Sequence, residues 1–69
     1  MVLNNIRKFR IEFGMSQTEF AEAIRISLPH LQRIEAGVQP VRLEVAGRIS
    51  ESLSQPLDKI FPAARRLLT

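Results

Sequence analysis

Four side chains in this sequence, Leu28, Pro29, Gln32 and Arg33, fall into two i, i+4 pairs and so share one face of any helix that carries them. A primary amide and a guanidinium on such a face can hydrogen-bond to base edges, and Arg33 can pair with guanine through O6 and N7. Leu31 and Ile34, three apart, lie on the other side of the same helix. A capped, exposed helix with this division fits the major groove of DNA in width and chemistry. Binding to a phosphate or to a neighbouring acid is the competing role for Arg33, and its place in the outer stripe favours base contact.

Catalysis finds no equivalent set of groups. The sequence has no plausible nucleophile–base pair, no carboxylates at metal-ligand spacing and no glycine-rich phosphate loop. His30 is the only histidine and there is no cysteine, so neither a metal site nor a disulfide is expected, nor any cofactor. His30 is at best a peripheral contact. Absence of cysteine fits a reducing cytoplasm. MVLNNIRKF has no apolar run of signal-peptide type, and no stretch approaches the roughly 18 apolar residues of a membrane span.

Sixty-nine residues allow one small core, burying only about 60% of the surface of the unfolded chain. Net charge is +3, from ten Lys/Arg against seven Asp/Glu, and the isoelectric point is near 10.7. That balance suits a polyanion partner but is common among small domains. Lys8 and Lys59 are the only lysines, and arginine favours bidentate contact with phosphate and guanine.

The elements that must position the outer face are short helices, and no stretch alternates as a strand would. A first helix is expected over about residues 5–13, with Leu3, Ile6 and Phe9 inward and Gly14 as its stop. Ser16 caps a second helix, with Glu19 completing a capping box and Phe20, Ala21 and Ile24 buried. The third begins after Ser27 and ends at Gly37, packing Leu31 and Ile34 on Phe20 and Ala21. Pro29 sits in its first turn, where a missing N–H costs nothing, and leaves the His30 N–H free to meet the Ser27 cap. Residues 38–42 form a loop. A fourth helix covers 43–53 and is expected to bury Leu43, Ala46, Ile49 and Leu53. A last turn over 57–61 is stopped by Pro62, leaving residues 63–69 as a tail. The expected architecture is therefore all-α, a compact four- to five-helix bundle in one domain over 1–62.

Taken together, Ile6, Phe9 and Arg10, Ser16-Gln17, Phe20-Ala21, Ser27, Arg33-Ile34-Glu35, Gly37, Leu43-Glu44, Leu53, Leu57-Asp58 and Ile60-Phe61 form one ordered pattern. In order and spacing it resembles the phage-repressor and Cro-like helix-turn-helix DNA-binding family, with its lambda-repressor-like fold, over about four-fifths of the chain. The resemblance implies that Gln17 bonds a DNA phosphate at a helix start. It places Leu28, Pro29, Gln32 and Arg33 at base-facing positions and pairs Arg10 with Glu35 as a structural ion pair. Thr18, Ser27, His30, Gln39 and Arg42 complete the expected DNA-contacting set. The sequence departs from the family at Arg25, where the turn usually has glycine, so Arg25 must go left-handed or the turn must shift. Leu28 and Pro29 offer only apolar contact where polar readers are usual, and the loop Val38-Gln39-Pro40-Val41 lacks basic residues.

The implied partner is double-stranded DNA, bound by a homodimer that represses transcription from a palindromic operator. Residues 57–68 are the expected dimer surface, and Gly47 leaves room for close approach. The alternatives are an antitoxin, an assembly adaptor or a restriction–modification controller. Ile11 and Phe13, and Leu67 and Leu68 in the tail, are either packed or form an apolar patch for a protein partner such as a toxin. Arg65 and Arg66 either reach phosphate or lie in solvent.

Overall fold

The turns between helices are set by the way each helix stops. The computed structural model describes residues 4–62 and holds α1 (Ile6–Glu12), α2 (Gln17–Ala23), α3 (Leu28–Glu35), α4 (Leu43–Leu53) and α5 (Leu57–Ile60), with no strand among the described residues. Helices α1 to α4 end alike, in a left-handed residue whose N–H and the next N–H reach back to two orphan carbonyls. After α1, Gly14 and Met15 bond to the Ile11 and Arg10 carbonyls at 2.9 and 3.1 Å. After α3, Gly37 and Val38 bond to those of Ile34 and Arg33 at 3.0 and 3.1 Å. Both glycines have φ above +70°, as a glycine stop requires.

The other two stops use residues that favour this region far less. Arg25 takes φ +60° after α2, with Arg25 and Ile26 bonded to the Glu22 and Ala21 carbonyls at 3.2 and 3.0 Å. The turn therefore keeps its shape, and Arg25 absorbs the strain. Ser54 does the same after α4 at φ +52°, and no glycine marks that stop in the sequence. The left-handed region costs an ordinary residue about 1–2 kcal/mol, while glycine's extra freedom when unfolded takes back about 0.4–1. Arg25→Gly and Ser54→Gly should each stabilise the fold by about 0.5–1 kcal/mol, roughly 2–8 °C in thermal midpoint. A lower midpoint for Ser54→Gly would contradict this account of the α4 stop.

Twelve apolar residues form the core, among them Ile6 of α1, Phe20 and Ala21 of α2, Leu31 and Ile34 of α3, Ile49 and Leu53 of α4, and Ile60 of α5. Each fully buried Phe, Ile or Leu contributes about 1.5–3 kcal/mol of transfer free energy. Helix α2 packs on α3, while α1 and α5 pack on α4. One core assignment is corrected. Leu43 is 77% exposed, and Val45, at 6%, takes its place. The reason is helical phase: at about 100° per residue, Val45 lies roughly 40° from Ile49 and Leu43 roughly 120° away. The last helix also ends one residue sooner than expected, with Phe61 as its cap.

Polar stitches close the bundle. The Asn5 N–H donates to the Ile60 carbonyl at 2.8 Å, and its side-chain amide donates to the Lys59 carbonyl at 2.8 Å. The Asn4 amide donates to the Ile34 carbonyl at 2.9 Å, and Arg48 reaches the Ile24 carbonyl at the end of α2 at 3.4 Å. Leu3, Arg65, Arg66, Leu67 and Leu68 lie outside the described residues.

Candidate nucleic-acid interface

The interface is built from the caps of α2 and α3. At α2, the Glu19 N–H donates to the Ser16 hydroxyl at 3.1 Å, and the Ser16 N–H donates to the Glu19 carboxylate at 3.0 Å. Hydrogen bonding of the carboxyl to the Ser16 backbone first, and to the Ser16 hydroxyl second, holds Glu19 below its ordinary range. At α3, the His30 N–H donates to the Ser27 hydroxyl at 3.2 Å, with Pro29 in the first turn. The two caps fix the entry of each helix, and Arg25 fixes the turn between them.

Leu31 and Ile34 are buried on α2, which leaves Pro29, Gln32 and Arg33 exposed on the far side of α3. Leu28 and His30 are half-buried, so they flank that face and do not crown it. Thr18, Ser27 and Arg42 are exposed, while Gln17 and Gln39 are half-buried. Arg42 precedes α4, and its carbonyl accepts from the Ala46 N–H at 2.9 Å.

Beneath this surface runs one hydrogen-bonded chain. Arg10 donates from Nε to Glu35 Oε2 at 2.9 Å and from Nη2 to Oε1 at 3.3 Å, a bidentate pair whose side chains are 9% and 7% exposed. Its Nη1 donates to the Met15 carbonyl at 2.8 Å, so one guanidinium ties α1, the α1–α2 turn and α3. Gln17 Nε2 donates to Glu35 Oε1 at 3.4 Å, and Gln32 Nε2 donates to Gln17 Oε1 at 3.4 Å. The polarity is forced, because a carboxylate only accepts and therefore turns the Gln17 oxygen toward Gln32. Arg33 makes a separate bond, from Nε to Gln39 Oε1 at 2.7 Å. Neither glutamine link has a local sequence signal, since the partners are 18 and 15 residues apart.

Charge is divided by element. The exposed acids Glu12, Glu19, Glu22, Glu44, Glu51 and Asp58 sit on α1, α2, α4 and α5. The one acid of α3, Glu35, is neutralised by Arg10, so the only charge on its outer face is Arg33. Such a face admits a polyanion without like-charge repulsion. Ile11 and Phe13 prove to be 55% and 52% exposed, which removes them from the core. No group of three or more His, Cys, Asp or Glu residues among the described residues could hold a metal ion, and no helix there is long and apolar enough to cross a membrane.

Known proteins resemble this chain in sequence and in fold. A family model described as helix-turn-helix matches residues 6–60. A protein of Pyrococcus horikoshii, provisionally named an HTH-type transcriptional regulatory protein, is 41% identical over 63 residues, covering 91% of this chain and 20% of its own. A similarly named protein of Pyrococcus furiosus is 39% identical over 54 residues, covering 78% of this chain and 17% of its own. The chain thus spans about a fifth of the length of these curated relatives. Among solved structures, a hypothetical transcription factor, NHTF, from Neisseria superposes with a TM-score of 0.75 at 24% identity, over 94% of this chain and 76% of that one, a likeness of fold. With the match running from the first residue of α1 to the last of α5, the chain belongs to the Cro/C1-type helix-turn-helix family.

Proposed function

We propose that this chain is a sequence-specific DNA-binding unit that acts as a dimeric repressor, with α3 lying in the major groove of a palindromic operator. The observation that carries the reading is the exposed pair Gln32 and Arg33 on a capped helix, with Gln32 bonded to Gln17 at the start of α2. Gln32 and Arg33 read base edges, and Leu28 and Pro29 supply apolar contact, for example to a thymine methyl. Gln17, Thr18 and Arg42 hold phosphates, with Ser27, His30 and Gln39 at the rim. A single module of this kind covers only about 600–1,000 Å². Two heads related by a two-fold axis supply the rest, and the end of the bundle from α5 onward is the surface on which they pair. The working compartment is the one that holds DNA, in this reading the cytoplasm.

Selection of bound duplexes from random DNA tests this directly. The expected pool carries inverted half-sites centred about 34 Å, roughly 10 base pairs, apart. A pool with no enriched motif would end the sequence-specific reading, and an unpaired half-site would end the two-fold one. A second reading, a protein-interaction module such as an antitoxin or adaptor, is favoured by the exposure of Ile11 and Phe13 on the α1 side of the bundle.

A further inference from the structure

We propose that Gln39 is a positioning residue for Arg33: its side-chain oxygen takes the Arg33 Nε–H and turns the Nη1/Nη2 edge of the guanidinium toward a guanine. The inference rests on α3 being the base-reading helix, as argued above. The bond is short, 2.7 Å, and joins residues six apart. Backbone geometry brings them together. At the end of α3 the Val38 N–H folds back onto the Arg33 carbonyl at 3.1 Å, with Gly37 at φ +75° making the bend. Arg33 is therefore held twice, through its carbonyl by Val38 and through Nε by Gln39. Gln39 is half-buried where Arg33 is exposed, so the acceptor is the better anchored of the two.

A guanidinium offers five N–H groups in a fixed fork, and either its Nε side or its Nη1/Nη2 end can span two acceptors. With Nε occupied, the end of the fork is the edge left for guanine O6 and N7, and no other partner engages it among the described residues. The choice of an amide has chemical sense. A carboxylate would orient Arg33 equally well, but it would cancel the only charge on the outer face of α3 and repel phosphate. The amide oxygen orients the fork and leaves the charge intact. It also orders a long, rotamer-rich side chain before DNA arrives, which lowers the cost of ordering it on binding.

The test compares binding to the selected operator with binding to the same operator in which each guanine in turn is replaced by 7-deazaguanine, which lacks the N7 acceptor. The readout is the ratio of the two affinities. In Arg33→Ala the ratio should fall to about one at a single guanine per half-site. Gln39→Ala should lower the ratio at that same guanine by about threefold to tenfold, the scale of ordering one such side chain. Gln39→Glu should keep the wild-type ratio while weakening both duplexes, because the acceptor is retained and only the charge has changed. Gln39→Ala added to Arg33→Ala should move the ratio no further. An unchanged ratio in Gln39→Ala, with both duplexes bound equally less well, would overturn the positioning role and leave Gln39 as a phosphate or loop contact. Should Arg33→Ala leave the ratio unchanged at every guanine, base reading by Arg33 falls, and the positioning role with it. Thermal midpoints of all variants separate either result from loss of the fold.

Discussion

Glu35→Ala is expected to cost about 3–5 kcal/mol of stability, the scale for stripping one partner from a buried ion pair. The side chains of Arg10 and Glu35 are 9% and 7% exposed, so neither charge is screened by water as a surface pair would be. Removal of Glu35 would leave the Arg10 cation inside the bundle with the Met15 carbonyl as its remaining acceptor. Stability of about 0.05–0.15 kcal/mol per residue gives a chain of this length only roughly 3–10 kcal/mol in total. The single substitution therefore removes much or all of it. Arg10→Ala should do comparable damage by stranding the carboxylate. Replacing both at once, Arg10→Met with Glu35→Leu, should recover most of the loss, because an apolar pair of similar volume is often neutral. Urea unfolding followed by circular dichroism measures all three, and the cycle gives the coupling. Single-variant losses under about 1 kcal/mol would mean that the pair behaves as a solvated surface bridge.

The same pair shows what local pattern can and cannot reveal. The sequence reading anticipates Arg10 and Glu35 as partners through the family pattern, and the helix limits follow from Ser16, Ser27, Gly14 and Gly37, whose cap chemistry is local. Counting back by i, i+3 from Ala46 assigns Leu43 to the core, because such a count admits positions at the edge of a stripe. The step of about 100° per residue already gives Val45 the better phase, and its burial agrees. Arg25 leaves two possible turns in sequence, and the bonds of Arg25 and Ile26 to the Glu22 and Ala21 carbonyls choose the strained one. Ile11 and Phe13 are ambiguous for the same reason as Leu43: hydrophobicity gives a preference for burial, not a place in which to be buried. The links from Gln17 to Glu35 and Gln32 and from Arg33 to Gln39 are the least legible, since each depends on how chain segments fold back on one another.

Raising salt from 50 to 200 mM should weaken operator binding by about 10², a value set by the few cations that the reading head and the loop after it bring to phosphate. Arg10 is committed to Glu35, and Arg48 is half-buried with its guanidinium on the Ile24 carbonyl. Arg25 in the turn, Arg33 on α3 and Arg42 ahead of α4 are the exposed cations carried by the reading head and the loop that follows it. With Arg33 on a base, Arg25 and Arg42 of two protomers leave about four for phosphate, and a slope of roughly −0.9 per contact gives a loss of about 10² over this range. Each cation moved off phosphate should reduce the magnitude of the logarithmic slope by roughly one. Arg42→Ala should therefore flatten it by about two per dimer while leaving base preference untouched. Arg33→Ala should change base preference first. If the two variants instead flatten the slope alike and leave preference intact, Arg33 is a phosphate contact, and the direct readout of this head falls to Gln32 with the apolar surface of Leu28 and Pro29.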